Sequence, residues 1–514
     1  MTPMTRGRRP TVGWLVGLAG LLVVPGVIGV GRLGDPTDLD SGAATAVASV
    51  AARAVPAASP APSPARSSGA SDASPDASVL TRSPAAATPL LPSGGTGGVV
   101  APTSDTLLPG VVNRTSINLT AEYRATVRLG FANRSFRVSS TMTVTNTSGG
   151  SIDRLELNTI AARLGRMTIT VARANGHDVH PTVTDQTIHF PLGGTLPPGG
   201  TVTVRIDYRA TLRSDTAGSN WLFTRAIGIL EAHRWLPWIS RPTPFNRPNH
   251  GDPFVTPVSP RVRITIVSDR PIRWATTGEQ TGSSGTTTTF EARNVRDFVV
   301  AGAPDYRTVS AAVGGVLVRV WYRPGFPASA VLNAAKTALA REARLLGAYP
   351  YPTYDLAQTA GGYGMEAPGL TWIPTGAGNL PYLVAHETGH QWFYGIVGND
   401  QARQPYTDEA AADFVARTVL GLRRGSRCPA ARLDLTIYQY SSACYYEDIY
   451  IQGGNLLDDT RKRMGSGAFW AGIRDYLATY RFKLATTKAL LDTLDAHTPL
   501  NLVPRFAPRF PGLY

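Results

Sequence analysis

The chain has 514 residues, of which 43% are hydrophobic, so it is long enough for two or three domains with at least one sizeable core. It carries 50 Lys and Arg residues against 36 Asp and Glu residues, which gives a formal net charge of +14. Most of the basic residues are arginines spread along the chain, without the long basic run that is typical of a nucleic-acid tract. We therefore interpret the charge as surface character and expect no nucleic-acid partner.

Residues 1–31 carry arginines at positions 6, 8 and 9 and continue as an uncharged apolar run, TVGWLVGLAGLLVVPGVIGVG. About 20 apolar residues are what a helix needs to cross a bilayer, and basic residues before it favour a cytoplasmic amino terminus. The run is longer than the core of a cleavable signal peptide. We therefore expect a retained single-pass anchor in the cell membrane, with the rest of the chain outside the cytoplasm. Secretion after signal cleavage is the alternative.

Residues 32–106 are rich in Ala, Pro, Ser, Gly and Thr and contain hardly any aromatic residue. Such a segment cannot bury enough apolar surface to offset its chain entropy, so we predict a disordered tether. Residues 107–310 instead contain alternating apolar runs such as TVTVRIDY and RVRITIV, separated by turn-rich pieces. This pattern is typical of half-buried strands and predicts an all-β sandwich domain.

Residues 311–514 have the mixed pattern of an α/β domain. GVLVRVWY is typical of a strand, and ASAVLNAAKTALAREARLLG is typical of a helix that ends at Gly347. Two further predicted strands, YDLAQT and LTWIPT, are followed by a helix, NLPYLVAHETGHQWFYG. Asn379 is its expected cap, and we expect it to end near Gly395.

The stretch HETGH places His386 and His390 four residues apart on this helix, so both imidazoles can point to one metal ion. Two histidines satisfied by hydrogen bonds on a buried face are the alternative. Glu409 follows His390 after 18 intervening residues, at the start of a second predicted helix. Two packed helices can bring its carboxylate to the same ion. Two histidines and one carboxylate are a ligand set of catalytic zinc, so we expect one Zn²⁺ per chain.

With this third ligand, the sequence resembles the gluzincin metallopeptidases, and in particular the M1 family of aminopeptidases. The resemblance extends through HETGHQWFYGIVGNDQARQPYTDEAAADF, which is similar to the bacterial form of the family core. It implies a thermolysin-like catalytic domain in which His386, His390 and Glu409 bind zinc and Glu387 is the general base. A carboxylate next to the first ligand can accept the proton of the attacking water and pass it to the leaving amine.

The segment YGMEAPG resembles the exopeptidase motif of the same family. In the family this motif lies on an edge strand that pairs with the substrate, and its glutamate holds the free amino terminus. The resemblance therefore assigns substrate binding to Glu366 and close backbone approach to Gly364. Tyr363 and Ala367 depart from the usual motif, which has glycine and asparagine at these positions. A glycine turn with a solvated glutamate is the alternative.

Tyr450 in DIYIQGGNLL fits the family pattern of a tyrosine that stabilises the oxyanion, with Tyr445 and Tyr446 as nearby competitors and simple packing as the alternative. LEAHRWLPW is similar to the β-domain segment that borders the M1 active site, which would place Glu231 near the amino-terminus pocket. Many family members continue into a long helical domain after this point. Since this chain ends soon after Tyr450, we expect a more open cleft.

Cys428 and Cys444 are the only two cysteines. Outside the cytoplasm a disulfide between them is expected, with two free thiols as the alternative. Together, these features predict a zinc aminopeptidase that removes residues from the amino termini of peptide substrates. An endopeptidase with an open cleft, or an envelope binding module that keeps zinc only for structure, are the alternatives. The preferred amino-terminal residue cannot be inferred from the sequence.

Overall fold

A computed structural model describes residues 107–423, 425, 428 and 432–514. The predicted membrane anchor at 1–31 and the predicted tether at 32–106 lie outside these residues, so both stay predictions. Within the described part of the chain, no helix combines the length and the apolar character that crossing a bilayer requires.

Residues 119–303 consist mainly of β-strands. The strands are β1 (Leu119–Gly130), β2 (Ser135–Asn146), β3 (Ile152–Asn158), β4 (Thr168–Ala174), β5 (His177–Asp178), β6 (Thr182–Thr184), β7 (Thr187–Leu196), β8 (Thr201–Thr211), β9 (Phe223–Ala226), β10 (Ile229–Ala232), β11 (Trp238–Ile239), β12 (Val262–Ser268), β13 (Arg273–Thr276), β14 (Glu279–Ser284), β15 (Thr287–Ala292) and β16 (Val300–Ala303). A short helix, α1 (Ile160–Leu164), and a 3-10 turn at Asn220–Leu222 lie between them.

These strands form an eight-stranded sheet in the order β14-β15-β12-β1-β2-β8-β4-β5 and two four-stranded sheets, β13-β16-β10-β9 and β11-β3-β7-β6. Along β8 the alternating residues Val202, Val204, Ile206 and Tyr208 are at most 2% exposed, because one face of the strand is turned into the core. Apolar residues from all three sheets share this core. The predicted sandwich thus consists of three sheets around one core.

A separate five-stranded sheet supports the second half of the chain. It contains β17 (Arg307–Val313), β18 (Val316–Tyr322), β19 (Thr353–Thr359), β20 (Met365–Ala367) and β21 (Leu370–Pro374), in the order β17-β18-β19-β21-β20. This sheet begins at Arg307, four residues before the boundary predicted at 311. The difference arises because β17 forms a hairpin with β18 and therefore belongs to the second sheet.

Seven helices follow β18 in the described residues. They are α2 (Ala328–Leu346), α3 (Leu380–Gly389), α4 (Ala411–Leu420), α5 (Gly453–Met464), α6 (Ser466–Thr479), α7 (Thr487–Ala496) and α8 (Val503–Phe506). Two π-helical turns, Tyr406–Ala410 and Tyr446–Gln452, precede α4 and α5. π-Helical turns are rare and frequently lie at functional sites.

The helix α3 begins where the sequence predicts and ends earlier. The Asn379 side chain accepts a hydrogen bond from the Tyr382 amide at 3.2 Å and caps the amino terminus. The α-helical hydrogen bonds end at Gly389 rather than near Gly395. Beyond that point, the Gly395 amide donates to the carbonyl of His390, five residues back, so the chain continues in wider turns.

A disulfide joins Cys428 to Cys444, with Cα atoms 6.0 Å apart, which confirms the predicted pairing. The bond closes a loop in front of the π-helical turn at Tyr446–Gln452.

Candidate active site

The two histidines of the HETGH stretch meet the first carboxylate of the next helical segment. The Nε2 atoms of His386 and His390 are 3.1 Å apart. The Glu409 Oε2 atom lies 3.3 Å from the first and 3.4 Å from the second. The three residues are at most 6% exposed. The structure thus places two imidazole nitrogens and one carboxylate oxygen at the corners of a nearly equilateral triangle.

This triangle fits a zinc ion. Tetrahedral coordination with bonds of about 2.0–2.1 Å places ligand atoms about 3.3–3.4 Å apart, close to the distances between these three atoms. The donor set of two histidines and one glutamate is also that of catalytic zinc sites. His386, His390 and Glu409 are therefore the residues that can hold the metal.

Neighbouring side chains fix the orientation of both imidazoles. The Nδ1 atom of His390 lies 2.9 Å from Asp408 Oδ1, so an N–H at this position donates to the carboxylate and leaves Nε2 free for a metal. The His386 ring lies between two tyrosine rings, with its centroid 5.9 Å from that of Tyr382 and 5.4 Å from that of Tyr450. Both ligands are thus held before any metal binds.

Glu387 faces the same cavity. Its Oε2 atom is buried and has no hydrogen-bond partner among the described residues. Burial raises the pKa of the Glu387 carboxyl well above its usual value; the nearby Glu366, Glu409 and Asp252 add to this increase, and His390 opposes it. A carboxylate with a raised pKa is a stronger base, which suits proton transfer from water.

Gly364 lies directly against Glu387. A Cβ atom added to this glycine would overlap the Glu387 carboxylate, so any larger side chain must displace it. We predict that Gly364→Ala lowers kcat by about 10²-fold, because misplacement of a catalytic group by about 1 Å commonly has this effect. Steady-state kinetics with zinc content measured in parallel will test this. Unchanged kcat at full zinc content would contradict it. Gly362→Ala is a matched control, because a Cβ there meets open space.

Glu366 lies on β20, the edge strand of the five-stranded sheet. Its Oε1 atom accepts a hydrogen bond of 3.1 Å from Gln401 Nε2, which also donates to Asp408 Oδ2 at 2.7 Å. Gln401 thus links the Glu366 carboxylate to Asp408, whose other oxygen contacts His390. Burial, with Asp408 and Glu409 nearby, raises the pKa of Glu366 to about 7, whereas His390 acts to lower it.

Tyr450 lies on the π-helical turn at Tyr446–Gln452, beside the metal-binding triangle. It lines the cavity together with Glu387 and Glu409. Burial, together with Glu409, raises the pKa of the Tyr450 hydroxyl well above its usual value. The hydroxyl therefore keeps its proton at neutral pH and can donate a hydrogen bond. Tyr445 does not line this cavity.

The cavity has a volume of about 40 Å³ and is partly open to solvent. The more open cleft expected from the sequence stays a prediction. His386 and Glu387, which line the cavity, are only 4% and 5% exposed. An irregular segment of the β-domain, residues 241–257, forms part of the cavity wall. Arg247 and Asp252 from this segment line the cavity.

Glu231 does not line the cavity. It lies on β10 and is fully buried, and its Oε1 atom accepts a hydrogen bond of 3.0 Å from the backbone amide of Ala360. Its Oε2 atom has no partner among the described residues. Glu231 thus supports the loop that leads into β20, and the structure does not place it in the amino-terminus pocket suggested by the sequence.

The buried Glu231 carboxyl is expected to make stability pH-dependent. Burial raises its pKa to about 8, against about 4.3 in an unfolded chain. Between these values the folded state binds more protons than the unfolded state, so stability falls as pH rises through this window. Glu231→Gln removes this dependence. Between pH 5 and pH 8 we expect the free energy of unfolding of the wild type to fall by roughly 2–4 kcal/mol more than that of the variant. Urea unfolding at both pH values will test this, and parallel losses would contradict it.

Solved structures of zinc metallopeptidases are similar to this chain in fold. The M1 zinc metallopeptidase of Deinococcus radiodurans is similar with a TM-score of 0.58 and 21% identity, over 76% of this chain and 94% of that chain. A mutant of the Deinococcus radiodurans M1 zinc metallopeptidase, bound to a Tyr-Ser-Ala substrate, is similar with a TM-score of 0.56 and 20% identity, over the same shares. The chain has the M1 zinc metallopeptidase fold. No protein-family profile matches it, and no curated protein sequence does.

Within this M1 fold, the sequence-predicted site residues come together in one cavity, with Glu231 as the exception. Asp408 and Gln401 were not predicted, although Asp408 directly precedes Glu409 in the chain. Asp252 and Arg247 were not predicted either. No sequence signal identifies this pair, because the two residues lie in a segment without regular structure, far along the chain from the metal ligands.

Proposed function

We propose that the protein is a zinc-dependent aminopeptidase that removes single residues from the free amino termini of peptides. The observation that carries the proposal is the position of Glu366 in the same cavity as His386, His390 and Glu409. A carboxylate at a fixed distance from the metal ligands would bind the amino terminus and set the cut one residue away. The M1 fold and the substrate-bound structure of a similar enzyme support this proposal.

Each chemical role follows from one group in the cavity. When bound, zinc supplies Lewis-acid polarisation of the scissile carbonyl and lowers the pKa of water. Glu387 accepts a proton from the attacking water and delivers it to the leaving amine. The Tyr450 hydroxyl donates a hydrogen bond to the developing oxyanion, a contribution commonly worth about 10²- to 10³-fold in rate. Glu366 holds the substrate ammonium, and Gly364 allows Glu387 to approach the reacting bond.

The proposal includes the cellular setting inferred from the sequence. Residues 1–31 would anchor the enzyme in the cell membrane, and residues 32–106 would hold the catalytic part outside the cytoplasm. The disulfide between Cys428 and Cys444 supports an oxidising compartment. The relationship to bacterial M1 enzymes remains part of this proposal, with the HETGH core as its support.

Matched peptides with free and acetylated amino termini will test the proposal. The zinc-loaded protein is incubated with both peptides, and the products are identified by mass spectrometry. We expect stepwise loss of single residues from the free peptide only. Glu387→Gln serves as the inactive control, and Glu122→Gln, an exposed residue on β1, serves as the matched active control.

The products separate the proposal from its alternatives. Internal cuts in both peptides would make the protein an endopeptidase, because such cuts need no free amino terminus. Absence of cleavage in both, at full zinc content, would favour a binding module that uses zinc only for structure. Either result would overturn the aminopeptidase proposal.

A further inference from the structure

A second carboxylate faces the cavity beside Glu366. Asp252 belongs to the irregular segment 241–257, is 4% exposed and lines the same cavity as Glu366, Glu387 and Glu409. Burial raises the pKa of Asp252 to about 7; Arg247 acts against this increase, and Glu366 and Glu409 add to it. Asp252 and these glutamates therefore share one cavity wall.

Only one oxygen of Asp252 is engaged. Arg247 Nη2 lies 2.8 Å from Asp252 Oδ1 and also donates to the His250 carbonyl at 2.7 Å, while Arg247 Nε donates to the Gly251 carbonyl at 3.2 Å. The guanidinium is therefore held by its own loop. The other oxygen, Asp252 Oδ2, accepts no hydrogen bond from the described residues. A carboxylate oxygen on a cavity wall without a donor from the protein can accept a hydrogen bond from a ligand.

Contacts with the catalytic half hold the segment in place. Arg241 forms a two-pronged ion pair with Asp400, with N···O distances of 2.6 and 2.5 Å. Asn249 Nδ2 donates to the Ile437 carbonyl at 2.7 Å. Both bonds lie on the amino-terminal side of Asp252 and hold its segment before a ligand binds, which lowers the ordering cost of binding.

We propose that Asp252 acts with Glu366 to hold the ammonium of the peptide amino terminus, with Arg247 as the counter-ion of Asp252 in the free enzyme. The two carboxylates and the guanidinium carry a formal charge of −1, and one ammonium completes the balance. An ammonium has three N–H donors, so it can bond to both carboxylates at once. Asp252 thus has the role near the amino-terminus pocket that the sequence suggested for Glu231. This inference rests on the proposed aminopeptidase function.

Binding measurements without turnover will test the assignment. The zinc-loaded chain carrying Glu387→Gln is titrated by calorimetry with a peptide and with its des-amino analogue, which differ only in the terminal amine. We expect this parent to prefer the free amine. Adding Asp252→Asn is expected to raise the Kd of the free-amine peptide about 10-fold or more and to change that of the des-amino analogue less than twofold. Adding Glu231→Gln instead should change both less than twofold.

A charge-conserving variant and the pattern of outcomes keep the test decisive. Asp252→Glu should retain most of the preference for the free amine. If this variant loses the preference, the argument from charge is overturned. If Asp252→Asn weakens the binding of both peptides equally, Asp252 has a structural role. If it weakens the binding of neither, Asp252 does not belong to the pocket. Either result overturns the assignment of Asp252 and leaves the aminopeptidase proposal standing. A parent that binds both peptides equally would overturn the aminopeptidase proposal and this inference with it.

Discussion

Replacement of Glu387 by glutamine is expected to lower kcat by about 10²- to 10⁴-fold, the usual contribution of general acid–base catalysis. The amide keeps the size of the side chain but cannot accept the proton of the attacking water. Glu387 supplies none of the three converging ligand atoms, so the variant should bind zinc as wild type does. Steady-state kinetics and metal analysis of the same preparations will measure both effects.

Two controls sharpen this expectation. Glu122→Gln makes the same chemical change at an exposed position and should leave kcat within twofold. The Glu387 carboxylate lies against Gly364. Unfolding curves of Glu387→Gln should therefore accompany the kinetics, to verify that the substitution leaves the loop around Gly364 intact. A Glu387→Gln variant with wild-type turnover would show that another group accepts the proton.

Loss of Glu409 is expected to remove the metal itself. Glu409→Gln replaces an anionic ligand with a neutral one, and we predict a drop in zinc affinity of at least about 100-fold, since changes in residues that merely support the ligands already cost 10- to 100-fold. Activity at low free zinc should disappear. Competition with a zinc chelator of known affinity will measure the change directly.

A second readout does not depend on activity. Zinc that binds only the folded state raises the unfolding temperature, and the size of the increase depends on affinity. At a fixed zinc concentration the increase should be clear in wild type and in Glu122→Gln and much smaller in Glu409→Gln. An equal increase in all three proteins would mean that Glu409 is not a ligand.

Local sequence patterns determined the parts of the site that depend on one element. The spacing of His386 and His390 places both on one helical face, and Asn379 supplies the cap that starts this helix. The alternation in β8 similarly defines its buried face. These features were predictable because helix and strand periodicity are properties of neighbouring residues.

The pairing of Cys428 with Cys444 was predictable for a different reason: the described chain offers no other partner. The π-helical turn that carries Glu409 was not predictable. It runs directly into α4, and no residue pattern marks it. Gly364 was assigned to close substrate approach, whereas the structure adds a contact with Glu387 that only the packing of β20 on α3 creates.

Only the tertiary structure decided which carboxylates meet in the cavity. Glu231 accepts a hydrogen bond from a backbone amide outside the cavity. Asp252, which belongs to no recognised motif, lines the cavity with Glu366 and the metal-binding residues. Gln401 joins Glu366 to Asp408 through bonds between segments distant in the chain. The sequence by itself determined the ligand types and the local elements that carry them. The direction of each side chain from an irregular segment depended on long-range packing, which local periodicity does not encode.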